Sequence, residues 1–225
     1  MCVHYLPTPK QMVMDFGLPE WDEDDWPDGT WQDYRAPIIV DRGEGPHLIV
    51  GTYGMIPQKR LPPGVRITTM NARSETVGEK KSYRDAWNRS QLCLVPMRAF
   101  YEPCYETGFA EEWRIGLADQ KQFAVAGLVR AWKDPDSKHI AYSFTQLTIN
   151  ADDHPFMKRM HKPNDEKRSL VIVPPDEYEA WLTCKDPEVA REFLKPYPAE
   201  LMAGVSEGRY GKKVKGAEEN ESKLI

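Results

Sequence analysis

Leu92-Cys93-Leu94-Val95-Pro96-Met97-Arg98-Ala99-Phe100-Tyr101-Glu102-Pro103 is the stretch on which the fold turns. Its opening apolar run has no helical spacing, meets a proline, and leads through aromatics to a carboxylate, as a buried strand does. Similar β-branched runs separated by Gly and Pro recur from Pro37 onward, at 38–40, 48–53, 65–69, 113–117, 123–129, 140–149 and 170–173, and each reads as a strand. Helical patterns are fewer. Residues 8–16 place Met12, Val13 and Phe16 on one face, and 79–87, 175–182 and 186–194 follow, the last with Asp186 as N-cap and Pro187 at the first helical position. With no internal repeat and no linker through the middle, the expected architecture is a single α+β domain. It is built mainly of antiparallel strands forming a curved, barrel-like sheet with a few flanking helices. The domain is expected to span 1–202, with an acidic Trp-rich loop at about 19–34, and to be followed by a mobile tail at 203–225 rich in Gly, Lys, Glu and Ser.

A chain of 225 residues that is 40% hydrophobic can bury a full core, so disorder of the bulk is excluded. The longest apolar runs fall far short of the ~20 residues a membrane span needs. The amino terminus has no basic region followed by an apolar stretch, so no secretory signal is expected. Cys2, Cys93, Cys104 and Cys184 are scattered, with no CxxC pair and no zinc-ligand spacing. A reducing, cytoplasmic setting is expected, with neither disulfide nor metal and no call for a nucleotide or organic cofactor. The net charge of -5 argues weakly against nucleic acid as a partner, but its distribution weakens that objection. Eight acids and no Lys or Arg lie between Asp15 and Asp33, so this segment outweighs the net charge and the remainder is slightly basic. Trp21, Trp26 and Trp31 recur there every five residues, which fits neither helix nor strand. The segment reads as a surface loop whose aromatics plug into the core; the alternative is an acidic gate over a binding groove.

Four places could carry chemistry. Cys2 is small enough to permit removal of the initiator Met, which would leave an α-amine and a thiol on one residue. Such a 1,2-aminothiol can act as an N-terminal nucleophile with its own amine as base, or condense with an aldehyde through a Schiff base to a thiazolidine. Its ordinary reading is a small residue at a frayed terminus. The hexamer Asn71-Ala72-Arg73-Ser74-Glu75-Thr76 sets an amide and a guanidinium two apart, or is a turn with a surface ion pair. Glu102 follows a buried strand and aromatics, a setting for general acid/base work, or is an exposed carboxylate. The stretch from Thr148 to Pro163 holds two of the five histidines, His154 and His161, the latter flanked by Arg159 and Lys162, which disfavour its charging.

Together and in this order, these elements resemble the SOS response-associated peptidase family, the SRAP domain of abasic-site-processing proteins. The matching pieces run from Met1 through about Val173. They are Cys2; Ala36-Pro37; Tyr53-Gly54-Met55-Ile56-Pro57, where the family usually has Trp-Gly-Leu-Ile-Pro; the hexamer at 71–76; Tyr83-Arg84 ahead of Cys93-Leu94-Val95-Pro96; Phe100-Tyr101-Glu102; and Ala126-Gly127-Leu128. The resemblance implies a DNA-damage protein that binds single-stranded DNA and single-strand to double-strand junctions, and traps abasic sites covalently through the N-terminal cysteine once Met1 is gone. It implies Cys2 as nucleophile, Asn71 holding the α-amine or the opened sugar, Glu102 as general acid/base, and a histidine before an apolar strand. That histidine is His161, with 162–167 as an insertion, in preference to its competitor His154. For DNA contact it implies Arg73 and Arg84 on phosphates, Tyr53 and Met55 as apolar groups beside the lesion, and Pro37, Thr148 and His4 as further contacts. A monomer without cofactor, nucleoid-associated when on DNA, is the expected form. Val3-His4 stand where the family commonly has Gly-Arg, Pro103 and Val129 stand where Trp is frequent, and the acidic segment lies outside the family pattern. Two other readings stay open: an N-terminal-nucleophile cysteine peptidase acting on itself or on peptides, and a reversible single-stranded DNA-binding module, to which Cys2 would be useless.

Overall fold

A computed structural model describes residues 2–22, 25–120, 122–133 and 139–209. The strands are β1 (Tyr5–Pro7), β2 (Arg35–Asp41), β3 (Pro46–Tyr53), β4 (Asn71–Arg73), β5 (Leu92–Cys104), β6 (Glu111–Leu117), β7 (Phe123–Lys133), β8 (Ile140–Asn150), β9 (Arg168–Leu170), β10 (Ile172–Val173) and β11 (Met202–Arg209). Five of them close a barrel in the order β7-β8-β3-β2-β5 and back to β7. Every joint of the barrel is antiparallel except β3 with β8. The remaining strands extend the sheet: β1 and β6 pair with β5, β4 and β9 with β8, β10 with β7, and β11 with β6. The expected α+β, mainly antiparallel, barrel-like architecture is the one observed.

The apolar runs are continuous because both faces of the barrel wall are covered. Ala36, Ile38 and Val40 of β2, Cys93, Val95 and Met97 of β5, and Phe123 and Val125 of β7 join one buried set, which also holds Cys2, Tyr5 and Tyr53. Their neighbours Ile39, Leu92, Leu94, Ala124, Ala126 and Leu128 join a second set with Trp87, Trp181 and Ala190 of the flanking helices. Those helices are short: α1 (Arg84–Asn88), α2 (Tyr178–Thr183) and α3 (Pro187–Ala190). Asp186 caps α3 as its position suggests, accepting from the amide of Glu188 at 2.8 Å. The expected helix at 8–16 is instead a 3-10 helix, Lys10–Phe16, stopped by Gly17 at φ 73°.

Three differences have physical causes. Residues 65–69 are β-branched but form no strand. Val65 and Ile67 are exposed, and their carbonyls accept from the side chains of Gln58 and Gln32 instead of a neighbouring strand. Short β1 and β4 carry too few residues for a pattern and are held by pairing to β5 and β8. Residues 203–209, expected to open the tail, instead pair with β6 as β11; Gly204 lets Phe156 and Trp113 close on the backbone, since a Cβ there would lie 2.9 Å from the Phe156 ring. The rest of the expected tail, 210–225, lies outside the described residues. Among the described residues no helix is long and apolar enough to cross a membrane.

Candidate active site

β1 pairs with β5 in the register Tyr5↔Phe100, and the amide of Tyr101 donates to the His4 carbonyl at 3.0 Å. That pairing carries Cys2 inward beside Glu102, and both side chains are buried. The Cys2 thiol donates to the His4 carbonyl at 3.2 Å. Burial, and then the nearby carboxylate of Glu102, push its pKa well above the ordinary thiol value. The thiol is therefore protonated at rest.

Two side chains hold the Cys2 carbonyl. Nδ2 of Asn71 donates to it at 2.6 Å, and the Tyr53 hydroxyl donates at 3.0 Å. Asn71 is placed by the parallel register of β4 on β8, Asn71↔Gln146, and its own carbonyl accepts from the Tyr83 hydroxyl at 3.1 Å. The Tyr53 oxygen also lies 2.9 Å from Gln146 Oε1. One hydroxyl proton serves one acceptor, so the Gln146 amide belongs the other way round: its otherwise partnerless Nε2 then donates to Tyr53 while Tyr53 donates to Cys2. Burial keeps the Tyr53 hydroxyl protonated, its pKa raised well above the phenol value.

His161 arrives from another direction. An isolated bridge, Cys104↔Met160, ties its loop to the end of β5, and its amide donates to the Pro103 carbonyl at 2.6 Å. It sits at φ 64°, a conformation that non-glycine residues rarely take, with Lys167 Nζ on its carbonyl at 3.3 Å. Its Nε2 lies 2.9 Å from Oε2 of Glu102, both side chains buried. Asn71 Oδ1 and His161 Nδ1 are buried with no hydrogen-bond partner among the described residues, spare capacity of the kind a ligand uses. His154 is spent structurally: Nε2 reaches the Tyr197 carbonyl at 2.8 Å and Nδ1 accepts from the amides of Phe156 and Met157. The structure thus gathers Cys2, Asn71, Glu102 and His161 and leaves His154 apart.

The residues expected on DNA divide. Arg73 and Arg84 are half-exposed; Arg73 Nη1 pairs with Glu166 at 2.6 Å, and Arg84 lies 3.6 Å from Asp85. Pro37, Met55 and Thr148 are buried, Met55 in the second apolar set and Thr148 with its hydroxyl bonded to the Ala72 carbonyl and to Arg168. Tyr53 is buried as well, against Cys2. His4 is not a free cation: its ring is stacked between Trp31 and Tyr101, and burial lowers its pKa. Sequence reasoning missed Arg168, buried at the head of β9, which grips both carboxylate oxygens of Glu75 at 2.9 Å and bonds Glu166 and the Thr148 carbonyl. A basic pair, Lys167-Arg168, opening an apolar run was the available signal. Among the described residues no group of three or more His, Cys, Asp or Glu could hold a metal.

The profile of the family described as SOS response associated peptidase (SRAP) matches residues 1–207. Abasic site processing protein YoaM of Bacillus subtilis (strain 168) is 30% identical over 168 residues, 73% of this chain and 70% of YoaM. Abasic site processing protein YoqW of the same organism is 29% identical over 167 residues, with the same shares of the two chains. A solved structure of a Bordetella bronchiseptica protein superposes with a TM-score of 0.79 at 32% identity, covering 91% of this chain and 99% of that one.

Proposed function

The chain belongs to the SOS response-associated peptidase family, and on that premise we propose that it processes abasic sites in DNA by covalent capture through Cys2. The observation that carries the reading is one buried site in which Asn71 fixes the Cys2 backbone at 2.6 Å and the Glu102–His161 pair, 2.9 Å apart, stands beside the thiol. The names of YoaM and YoqW support the substrate class.

Capture begins once Met1 is removed. Glu102 donates a proton to the ring oxygen of the closed sugar and takes the anomeric hydroxyl proton in return, which leaves the open aldehyde. The Cys2 α-amine adds to the aldehyde carbon, a C–N bond forms, and the hydroxyl of the carbinolamine leaves as water with a proton from Glu102, giving a protonated imine and the Glu102 carboxylate. The thiol, protonated at rest, then adds to the imine carbon while Glu102 takes its proton, and the C–S bond closes a thiazolidine. One water is lost overall and no redox partner is needed. Asn71 and Tyr53 hold the Cys2 carbonyl so that amine and thiol stay in place, and Asn71 Oδ1 can accept from the amine or the opened sugar. His161 relays protons with Glu102. Arg73 and Arg84 contact phosphates of single-stranded DNA or of a strand junction, the bidentate geometry suiting guanidinium.

Incubation with an oligonucleotide carrying one abasic site is expected to give a band that survives denaturation, absent with Cys2→Ala and with an unmodified strand. No such band from protein shown by mass to lack Met1 overturns the proposal. The family name supports a second reading for the first step, removal of Met1 by Cys2 itself. Synthesis in a system whose methionine aminopeptidase is inhibited then yields a chain that has lost Met1 in the native sequence and kept it in Cys2→Ala.

A further inference from the structure

Cys2 precedes a strand of only three residues, and such a strand does not hold its own end in place. One edge of β1 is covered by β5. The other is covered by the acidic Trp-rich segment: Tyr5 and Thr30 exchange both main-chain hydrogen bonds, Tyr5 N to Thr30 O at 3.2 Å and Thr30 N to Tyr5 O at 2.9 Å. Farther along, Trp26 is buried and its Nε1 donates to the Thr8 carbonyl at 2.9 Å. Between Cys2 and Tyr5, apart from the main-chain bond of the Tyr101 amide to the His4 carbonyl, the hold passes to side chains. The His4 ring lies between Trp31, with centroids 3.8 Å apart and planes 11° from parallel, and Tyr101, at 4.3 Å and 3°. Gly29 is required there, because a Cβ would come within 2.9 Å of the Trp31 ring and 3.1 Å of His4. The backbone of the same His4 accepts the Cys2 thiol proton.

We infer that residues 25–34 are a clamp for the nucleophile, in which Trp31 and Tyr101 grip the His4 ring and so fix the Cys2 amine and thiol for reaction. His4 and Trp31 are positioning residues; neither touches the reacting atoms. Two of the acids serve the clamp itself, Asp25 accepting from the Trp26 amide at 2.9 Å and Asp33 from the Gln58 amide at 2.8 Å. The segment is thus explained without acting as a gate over DNA. His4 Nε2 is buried with no partner, so the ring acts by its faces and a phenyl group can replace it.

The inference rests on the proposed capture reaction, and its test separates the two. His4→Ala, His4→Phe and Trp31→Ala are compared with the native protein for affinity to an unmodified single strand and for the rate constant of capture at saturating abasic strand. His4→Ala and Trp31→Ala are expected to slow capture on the order of tenfold or more with affinity unchanged, and His4→Phe to recover most of the rate. Native rates in both truncations, or a His4→Phe protein no faster than His4→Ala, overturn the clamp. Hydrogen exchange of the Tyr5 amide, expected to quicken in Trp31→Ala and His4→Ala and to stay slow in His4→Phe, reads the clamp without any capture. If the native protein captures nothing, the proposed function fails while the exchange result still decides the clamp; unchanged exchange in the truncations rejects it.

Discussion

Burial decides the order of events at Cys2. In the proposed capture, a thiol held protonated by burial does not open the reaction, so the amine is expected to attack first and the sulfur to close the ring. Cys2→Ser keeps the amine and the small side chain but offers a far poorer ring-closing atom. It is therefore expected to leave an imine that survives denaturation only after borohydride reduction, as seen by comparing gels with and without the reductant. A stable unreduced adduct from the serine variant contradicts the sequence of steps. His4 gives a prediction in pH. Burial sets its pKa below the ordinary 6.5, against a weaker upward pull from Glu207. The unfolded chain then binds this proton at higher pH than the folded one, so stability is complete above about pH 6.5 and falls as pH drops through it. His4→Phe has no such proton. Thermal melts at about pH 8 and pH 5.5 are expected to show a smaller acid loss for His4→Phe than for the native protein, and equal losses contradict the assignment. At this scale the sequence was most readable where residue type alone carries the chemistry. The N-terminal cysteine, the amide of Asn71 and the carboxylate after aromatics all stand in the site, although Asn71 opens β4 where a preceding strand was expected. It was least readable for Tyr53 and Met55, two residues apart and both buried, of which only Tyr53 reaches Cys2.

Among the elements, β5 is the organiser: it pairs with β1, β2, β6 and β7, and its far half carries Glu102. Its close approach to β7 requires Gly127. A Cβ there would lie 2.7 Å from the Thr145 carbonyl and 2.9 Å from the Cys93 sulfur. Gly127→Ala is expected to cost about 1–3 kcal/mol, read as a lower urea midpoint, with a native midpoint as the contrary result. Long strands covered on both faces were legible because their apolar runs are unbroken. Residues 65–69 have the same composition without a partner, and composition does not report partners. β11 is the converse case, a strand with almost no apolar pattern that exists through main-chain pairing to β6. Three of the four expected helices overlap α1, α2 and α3 and were drawn too long, while the expected helix at 8–16 is the 3-10 helix Lys10–Phe16.

For the whole molecule, charge is partitioned. Of the eight acids between Asp15 and Asp33, Asp25 and Asp33 serve the inferred clamp, and the net charge of -5 says little about the surface around the site. Glu166, in the segment between His161 and β9, occupies Arg73 as a phosphate would, at 2.6 Å. Glu166→Gln is expected to tighten binding to single-stranded DNA several-fold and to steepen its salt dependence by roughly one counterion, measured by fluorescence anisotropy across a salt series. Unchanged affinity and slope contradict a phosphate role for Arg73. The central claim remains chemical: the barrel exists, in functional terms, to hold one aminothiol against a carboxylate. Intact mass of the adduct with an abasic oligonucleotide tests it most directly. The account predicts the mass of the chain without Met1 plus the strand less one water, with the N-terminal amine blocked to labelling. An adduct that keeps Met1, that forms equally with Cys2→Ala, or that leaves the amine free contradicts it.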